Sequence, residues 1–445
     1  MFWSPKAFTS NAWQWPAGQI KPLASALVQK KVEARGKDAA GLKLLSIRFD
    51  GTMDERCATP DSLKGKLYLA GSGDVVFSKI DLRNGAIGIV PPEFDSAAFT
   101  AEFPIYQVRP EVASAQYIQL LFRSEFFRAT INGMVSGASG RKRVSPEQLE
   151  AMQVPLPPLA TQQAIVAQWQ ALQSQAEQAA RAATRHEEKG RRDFLKALGL
   201  KAAATAKNRK CFALNWSSIG RWGIETNQPD AKLDVAAGHY PVATLADAIL
   251  DLSNGWSPKC LDRPAQGDEW GVLKLGAVSY GAFNPNENKG LPASLAAMPA
   301  LEIKTGDWLI SRANITRLVG ACALVKETPP RLMLCDKIFR AVWRPKSPVL
   351  PAYLDEVLKT PHLRQQIEAS LTGTSPTMKN ISKPALLALR LPLPPLQIQQ
   401  TLVAAIGQAR AEAAALRQQA SELREQAKRQ IEAALLGQDS TAWLD

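Results

Sequence analysis

Histidine and cysteine are scarce in this sequence. Three histidines (His186, His239, His362) in 445 residues leave metal or triad chemistry little to draw on. The five cysteines (Cys57, Cys211, Cys260, Cys322, Cys335) include no C-x-x-C pair. An odd count without such a pair argues against a disulfide framework or a zinc site, and suits a reducing cytoplasm. No run approaches the ~18 apolar residues that a membrane span needs. The N-terminal MFWSPKAFTSNAWQW lacks a basic region followed by an apolar run, so no targeting signal is read there. Phosphate-cradling loops are absent, as are G-x-S-x-G, H-E-x-x-H and the (Asn/Asp/Ser)-Pro-Pro-(Tyr/Phe) tetrapeptide of amino-group methyltransferases. Asp268, Glu269 and the Glu302-x-Lys304 pair come closest to nuclease carboxylates. They are short enough to arise by chance and read as structural. Negative charge is also in deficit: 54 basic against 41 acidic residues give +13 and a pI near 9.5. Such an excess predicts an anionic partner, nucleic acid or a membrane surface, with a merely solvated basic surface as the alternative.

What the chain does have is a repeat. Residues 391–400 read LPLPPLQIQQ, and 154–163, 237 residues earlier, read VPLPPLATQQ. Proline is well placed at the first positions of a helix, where its missing N–H would be unpaired anyway. Each copy therefore reads as a stiff lead-in that launches a long helix. The spacing is too long for a solenoid unit and marks duplication of a whole domain with its helix. In the first helix Ile165, Trp169, Leu172, Ala176, Ala179 and Ala183 alternate by 4 and 3. The seam weakens at His186 and Gly190 and resumes at Phe194 and Leu198. In the second, Leu402, Ile406, Ala409, Ala413, Leu416, Ala420, Leu423 and Ala427 alternate without interruption. At ~1.5 Å per residue each helix is roughly 60 Å long, against a diameter of ~26 Å for a 100-residue domain. The length and the narrow apolar seam favour helix-on-helix pairing over packing of each helix on its own domain. Ile165, Trp169, Leu172, Leu402, Ile406, Leu416 and Leu423 are the residues expected to pair the helices or meet a partner.

Ahead of each launch the chain reads as mixed α/β: short apolar runs divided by Gly, Asp and Pro, and one helix-like stretch. Strands are expected at 270–278, 308–312, 321–326 and 338–343, with helices at 116–133 and, interrupted near Pro361, at 353–371. The repeat extends into these parts. Gly73-Asp74 and Lys79 match Gly306-Asp307 and Arg312, and Ser136-Gly137 and Ser139 match Thr372-Gly373 and Ser375. Two similar modules on antiparallel helices form a ruler: B-DNA presents like-facing grooves every ~34–36 Å, so two modules can read two half-sites. Parallel pairing is the competing arrangement. Candidate DNA contacts are Lys79, Arg83 and the Arg141-Lys142-Arg143 cluster in the first module. In the second they are Asn254, Trp256, Ser257 and Lys259 in one polar turn, with Lys274, Arg312, Arg317, Lys379 and Asn380.

The doubled launch motif, Gly255-Trp256-Ser257-Pro258, the run from Gly306-Asp307 to Arg312, and Met378 with Asn380-Ile381-Ser382 together resemble the specificity subunit of Type I restriction-modification systems. The first module departs from that pattern. It has no Gly-x-Thr/Ser-Pro turn, and Gly140-Arg141-Lys142-Arg143 precedes its launch. The resemblance implies an α+β protein with two target recognition domains (1–156 and 216–393), each followed by a spacer helix (157–200 and 394–438). A basic linker (201–215) and a tail (439–445) complete it, and the helices form an antiparallel coiled coil with a pseudo-twofold repeat. It implies a non-catalytic, cytoplasmic, DNA-binding subunit that reads a bipartite asymmetric site in double-stranded DNA. Two methyltransferase subunits would use S-adenosylmethionine on adenine N6. An ATP/Mg-dependent restriction and translocase subunit would cut unmodified DNA, and whether one is present stays open. No cofactor would be bound by this chain. Two other readings stand beside it: a stand-alone nuclease or methyltransferase, and a coiled-coil adaptor whose basic charge is incidental.

Overall fold

The structure, a computed structural model, describes residues 13–34, 42–56, 66–94, 96–134, 143–201, 233–279, 281–373 and 378–438. The chain divides into two compact units, residues 1–181 with 416–445, and residues 182–415. The division passes through both long helices, so each unit holds a stretch of each. Apart from Lys201, the expected linker over 201–215 and the tail over 439–445 lie outside the described residues.

In the first unit an antiparallel four-stranded sheet runs in the order Leu27–Lys30, Ile105–Val108, Val75–Phe77, Ile87–Ile89. A second sheet orders Met53–Glu55, Lys43–Ile47, Ala97–Thr100, Leu67–Ala70, with a parallel central pair between antiparallel ones. Successive side chains of a strand point to opposite faces. Val75 and Phe77 accordingly enter one core with Tyr117 and Leu121, while Val76 enters another with Met53 and Phe99. The helix expected over 116–133 is two helices, Ala115–Arg123 and Glu125–Met134. Ser124 breaks it: its backbone is extended, and its hydroxyl accepts from Phe127 N (3.1 Å) as a cap for the second helix.

The second unit repeats this plan. Its antiparallel sheet orders Ile249–Asn254, Ile338–Trp343, Trp308–Ser311, Cys322–Leu324. A smaller sheet orders Asn288–Gly290, Gly271–Leu273, Leu332–Met333, with one antiparallel and one parallel pair. The strand expected over 270–278 extends only from Gly271 to Leu273, and Leu275–Ala277 coils into a 3-10 turn. The helix expected over 353–371 is Pro351–Val357 and Pro361–Ala369. Thr360 between them is extended, as a residue before proline prefers.

The launch motifs fold alike. Gln153–Pro155 pairs with Ile20–Pro22, and Arg390–Pro392 with Val242–Thr244. A proline-rich tract carries carbonyls without matching N–H groups, so buried side chains supply the donors. Tyr117 Oη donates to Pro155 O (3.0 Å), and Tyr353 Oη to Pro392 O (2.8 Å). Gln162 is fully buried. Its Nε2 donates to Pro157 O (2.8 Å) and Val112 O (2.9 Å), and its Oε1 accepts from Ser114 N (3.0 Å). Gln399, equally buried, repeats the set with Pro394 O (2.8 Å), Pro348 O (2.8 Å) and Leu350 N (2.9 Å). Each glutamine ties the start of a long helix to the N-cap of a helix in the domain.

The long helices are Leu159–Ala197 and Leu396–Leu436. In the first unit Ile165 and Val166 share a core with Ile431, Ala434 and Leu435, and Gln168 Nε2 meets Gln430 Oε1 at 3.3 Å. In the second unit Phe194 shares a core with Leu402 and Ile406. Within both units, then, the start of one helix lies against the end of the other, and the coiled coil is antiparallel. The alanines carry the seam: Ala176, Ala183, Ala413, Ala420 and Ala427 are buried, while Trp169, Leu172, Leu416 and Leu423 are half-buried. The weak point of the first seam has a physical cause. His186 Nδ1 lies 2.9 Å from Glu412 Oε2, and Gly190 faces Ala409 so closely that a Cβ on the glycine would sit 2.7 Å from the alanine's.

Two outcomes follow from these contacts. Gly190→Ala gains about 1 kcal/mol of helix propensity, but overpacking costs about 1–3 kcal/mol, so its melting temperature falls. Adding Ala409→Gly restores much of the loss; a single variant that melts higher than the wild type would show that the helices are not in contact there. Gln399→Ala strands the partly buried Leu350 N–H and two carbonyls, and should destabilise its unit by about 1–3 kcal/mol. Urea titration reads this, and an unchanged midpoint and slope would refute the clamp.

Candidate nucleic-acid interface

The structure gathers several of the predicted basic residues at one equivalent place in each unit. In the first, Lys79 follows the strand Val75–Phe77. Its backbone N donates to Glu102 O (3.1 Å), and its O accepts from Val144 N (3.0 Å). That brings Arg143 beside it, with Nη2 3.5 Å from Glu102 Oε2. Lys79 Nζ donates to Ala101 O (2.8 Å). A cleft of about 250 Å³ opens here, lined among others by Lys30, Lys31, Tyr68, Lys79 and Glu147. The Ser145 hydroxyl, a backbone amide and the nearby Lys31 and Lys79 hold the Glu147 carboxyl below its usual range. Arg83 is exposed on the turn Leu82–Asn84. That turn is pinned by Arg123, whose guanidinium donates to Gly85 O (3.1 Å), Phe49 O (3.3 Å) and Ile87 O. Burial pushes Arg123 down to about 10, so it keeps its charge at neutral pH. Arg141 and Lys142 lie outside the described residues.

In the second unit Arg312 follows Trp308–Ser311 in the same way. Its N donates to Lys337 O (3.0 Å), and its O accepts from Ile381 N (2.9 Å). Ala313–Asn314 pairs with Lys379–Asn380, which brings the two candidate segments together. Lys379 Nζ donates to Gly373 O (2.6 Å). Arg312 Cζ and Lys383 Nζ lie 5.4 and 5.8 Å from the centre of the Phe339 ring, and Phe339 pairs across the sheet with Asn254. The turn carrying Trp256 and Ser257 closes against the loop before Phe339. Trp256 N donates to Leu334 O (3.0 Å), and Ser257 Oγ donates to Asp336. Gly255 allows this, because any Cβ there would overlap the Leu334 carbonyl. Trp256 itself packs on a hydrophobic core, while Asn254, Ser257 and Lys259 are exposed.

Two candidates fall elsewhere. Lys274 is held by Glu287 (3.1 Å) beside the smaller sheet, and Arg317 is exposed on the turn after Asn314. Reading the sequence missed Lys30, Lys31 and Tyr68 in the first unit, and Lys337 and Lys383 in the second. The adjacent Lys30-Lys31 pair was a visible signal; the others are isolated in the chain. The Gly-Asp motif is a turn: Asp74 Oδ2 accepts from Gly71 N (2.8 Å) and Asp307 Oδ2 from Lys304 N (2.9 Å). Of the carboxylates set aside as structural, Glu269 forms a fork with Arg263 (2.6 and 2.8 Å) and Asp268 accepts from Arg331. Glu302 Oε1 accepts from Arg331 N (2.7 Å).

Burial pushes the Cys335 thiol up to about 11, and Cys322 well above its ordinary value. Both stay protonated and unreactive at neutral pH. Among the described residues no cluster of His, Cys, Asp and Glu is placed to hold a metal, and no helix is long and apolar enough to cross a membrane.

Two duplicated α+β modules with an antiparallel helix pair define the class of fold, and comparison with known proteins places it. No family model matches the chain. In sequence the chain is 23% identical over 465 residues to the Type I restriction enzyme EcoEI specificity subunit of Escherichia coli, covering 89% of this chain and 77% of that protein. It is also 23% identical over 304 residues to the EcoKI specificity subunit of Escherichia coli strain K12, covering 68% and 60%. In structure it is similar to a chain from a study of complex assembly and conformational transition of the type I R-M system. That match has a TM-score of 0.60 at 18% identity, over 96% of this chain and 98% of the other. It is similar too to the HsdS subunit from Thermoanaerobacter tengcongensis, with a TM-score of 0.50 at 18% identity, over 96% and 97%. The resemblance to Type I specificity subunits thus runs along most of the chain, in sequence and in fold.

Proposed function

We infer that this chain is the DNA-recognition subunit of a Type I restriction-modification complex. The observation that carries the reading is the duplicated cationic site: Lys79 with Arg143 in one unit, Arg312 with Lys379 and Asn380 in the other, each held by the same backbone frame. Each unit reads one half of a bipartite, asymmetric site in double-stranded DNA. The residues differ between units, so the half-sites differ. The paired helices set the gap and dock two methyltransferase subunits. Those subunits hold the S-adenosylmethionine and methylate adenine N6, and any restriction subunit holds ATP and Mg. This chain contributes binding and placement, binds no cofactor, and works in the cytoplasm. A flipped adenine must reach a partner's pocket, so the recognition units set which adenine is presented.

Methylated-adenine mapping in cells expressing the chain with its methyltransferase subunit tests this. A bipartite motif that disappears when the chain is omitted is expected; methylation that persists without it would overturn the recognition role. In the assembled complex, Arg312→Ala should weaken binding to all DNA sequences alike. It should also reduce the slope of log affinity against log salt by about one. An unchanged slope would remove Arg312 from the phosphate contacts.

A further inference from the structure

We propose that Glu102 and Lys337 are equivalent base-selecting residues, one in each unit. Glu102 selects a base that offers an amino group, and Lys337 a base that offers acceptors. The inference rests on the DNA-recognition reading above. The equivalence comes from the backbone. Glu102 O accepts from Lys79 N (3.1 Å), and Lys337 O from Arg312 N (3.0 Å). The sheet register agrees: Val76 pairs with Ile105 and Leu309 with Arg340, three residues past each position.

Beside this point Lys79 is matched by Arg312, both cations, while the same frame matches Arg143 with Asn380. At 102 and 337 the sign reverses. A surface that only neutralises phosphates gains nothing from a carboxylate, since affinity of that kind comes from cations displacing counterions. Glu102 nevertheless faces one cation, Arg143. Its Oε2 is buried 3.5 Å from Arg143 Nη2, while the side chain as a whole is 43% exposed. That oxygen has no hydrogen-bond partner among the described residues, so its accepting capacity is left for a ligand that reaches it. In the major groove a carboxylate accepts from the cytosine amino group, whereas lysine donates to guanine O6 and N7. Lys337 is exposed, and the carboxylate next to it, Asp336, is occupied by Ser257. The opposite account makes Glu102 a neutraliser of Arg143 with no role in selection.

The test is motif mapping with Glu102→Lys, Glu102→Gln and Lys337→Glu in the assembled methyltransferase. Glu102→Lys should exchange one amino-bearing base of one half-site for an acceptor-bearing base. Lys337→Glu should do the reverse in the other half-site, and Glu102→Gln should relax the choice. Preference for the original base should fall roughly tenfold or more. The unmutated half-site stays as it was and reports that the complex has folded. An unchanged motif at any level of methylation overturns the proposal. Where a variant gives no methylation, binding of the complex to duplexes substituted at each base decides. A selective change supports the proposal, and an equal loss on every duplex overturns it. Failure of the recognition reading is distinct, because the wild-type chain would then give no dependent motif.

Discussion

A buried glutamine at the root of each long helix holds the architecture together. Proline tracts are stiff, but they enter a core with acceptors they cannot pair among themselves. An unpaired buried polar group costs about 1–3 kcal/mol. Gln162 and Gln399 remove that penalty at each launch point, and Tyr117 and Tyr353 take one further carbonyl each. Because the glutamine oxygens also accept from Ser114 N and Leu350 N, the direction of the helix is fixed relative to the domain it leaves. A motif that looks like a linker is a joint.

The same economy appears at the candidate DNA surface. Backbone hydrogen bonds at Lys79 and Arg312 are common to both units, so the frame is duplicated while the side chains on it diverge. This separates two physical tasks. On the proposed DNA-recognition reading, cations at matched positions would supply attraction that is blind to sequence and falls with salt. On the same reading, discrimination would come from positions where the units disagree, since only those would make the proposed half-sites unequal.

The parts legible in the sequence were those under periodic or duplicated constraint. The seams and the two modules follow from spacing, whereas spacing left parallel pairing open and the contacts within each unit show the helices antiparallel. Even the flaw at His186 and Gly190 was visible, though its meaning needed Glu412 and Ala409 opposite. The glutamines could be read as repeated but not as buried, because glutamine in a helix is ordinarily a surface residue. The match of Glu102 with Lys337 was invisible for a stronger reason. Insertions shift the offset between copies, and opposite charges hide a shared place that only strand pairing reveals. Nor did the sequence show that Lys274 carries Glu287 beside it, 3.1 Å away.

The sequential division into domain and helix also conceals how each core closes. The first unit's core contains Trp15, Tyr117 and Ile165 together with Ile431, Ala434 and Leu435. Trp15 Nε1 donates to Leu435 O (2.9 Å), Gln14 N donates to Leu436 O (2.7 Å), and Glu432 accepts from Glu125 N and Phe126 N (3.0 Å each). Glu432 thereby satisfies the first N–H groups of the helix Glu125–Met134, which every helix start leaves unpaired. More than 400 residues of chain separate Trp15 from Leu435, so forming that contact waits on the whole polypeptide. The core of the first module is therefore not contained within residues 1–156. The end of the second long helix is structurally part of the first module, and the surface that module presents depends on it.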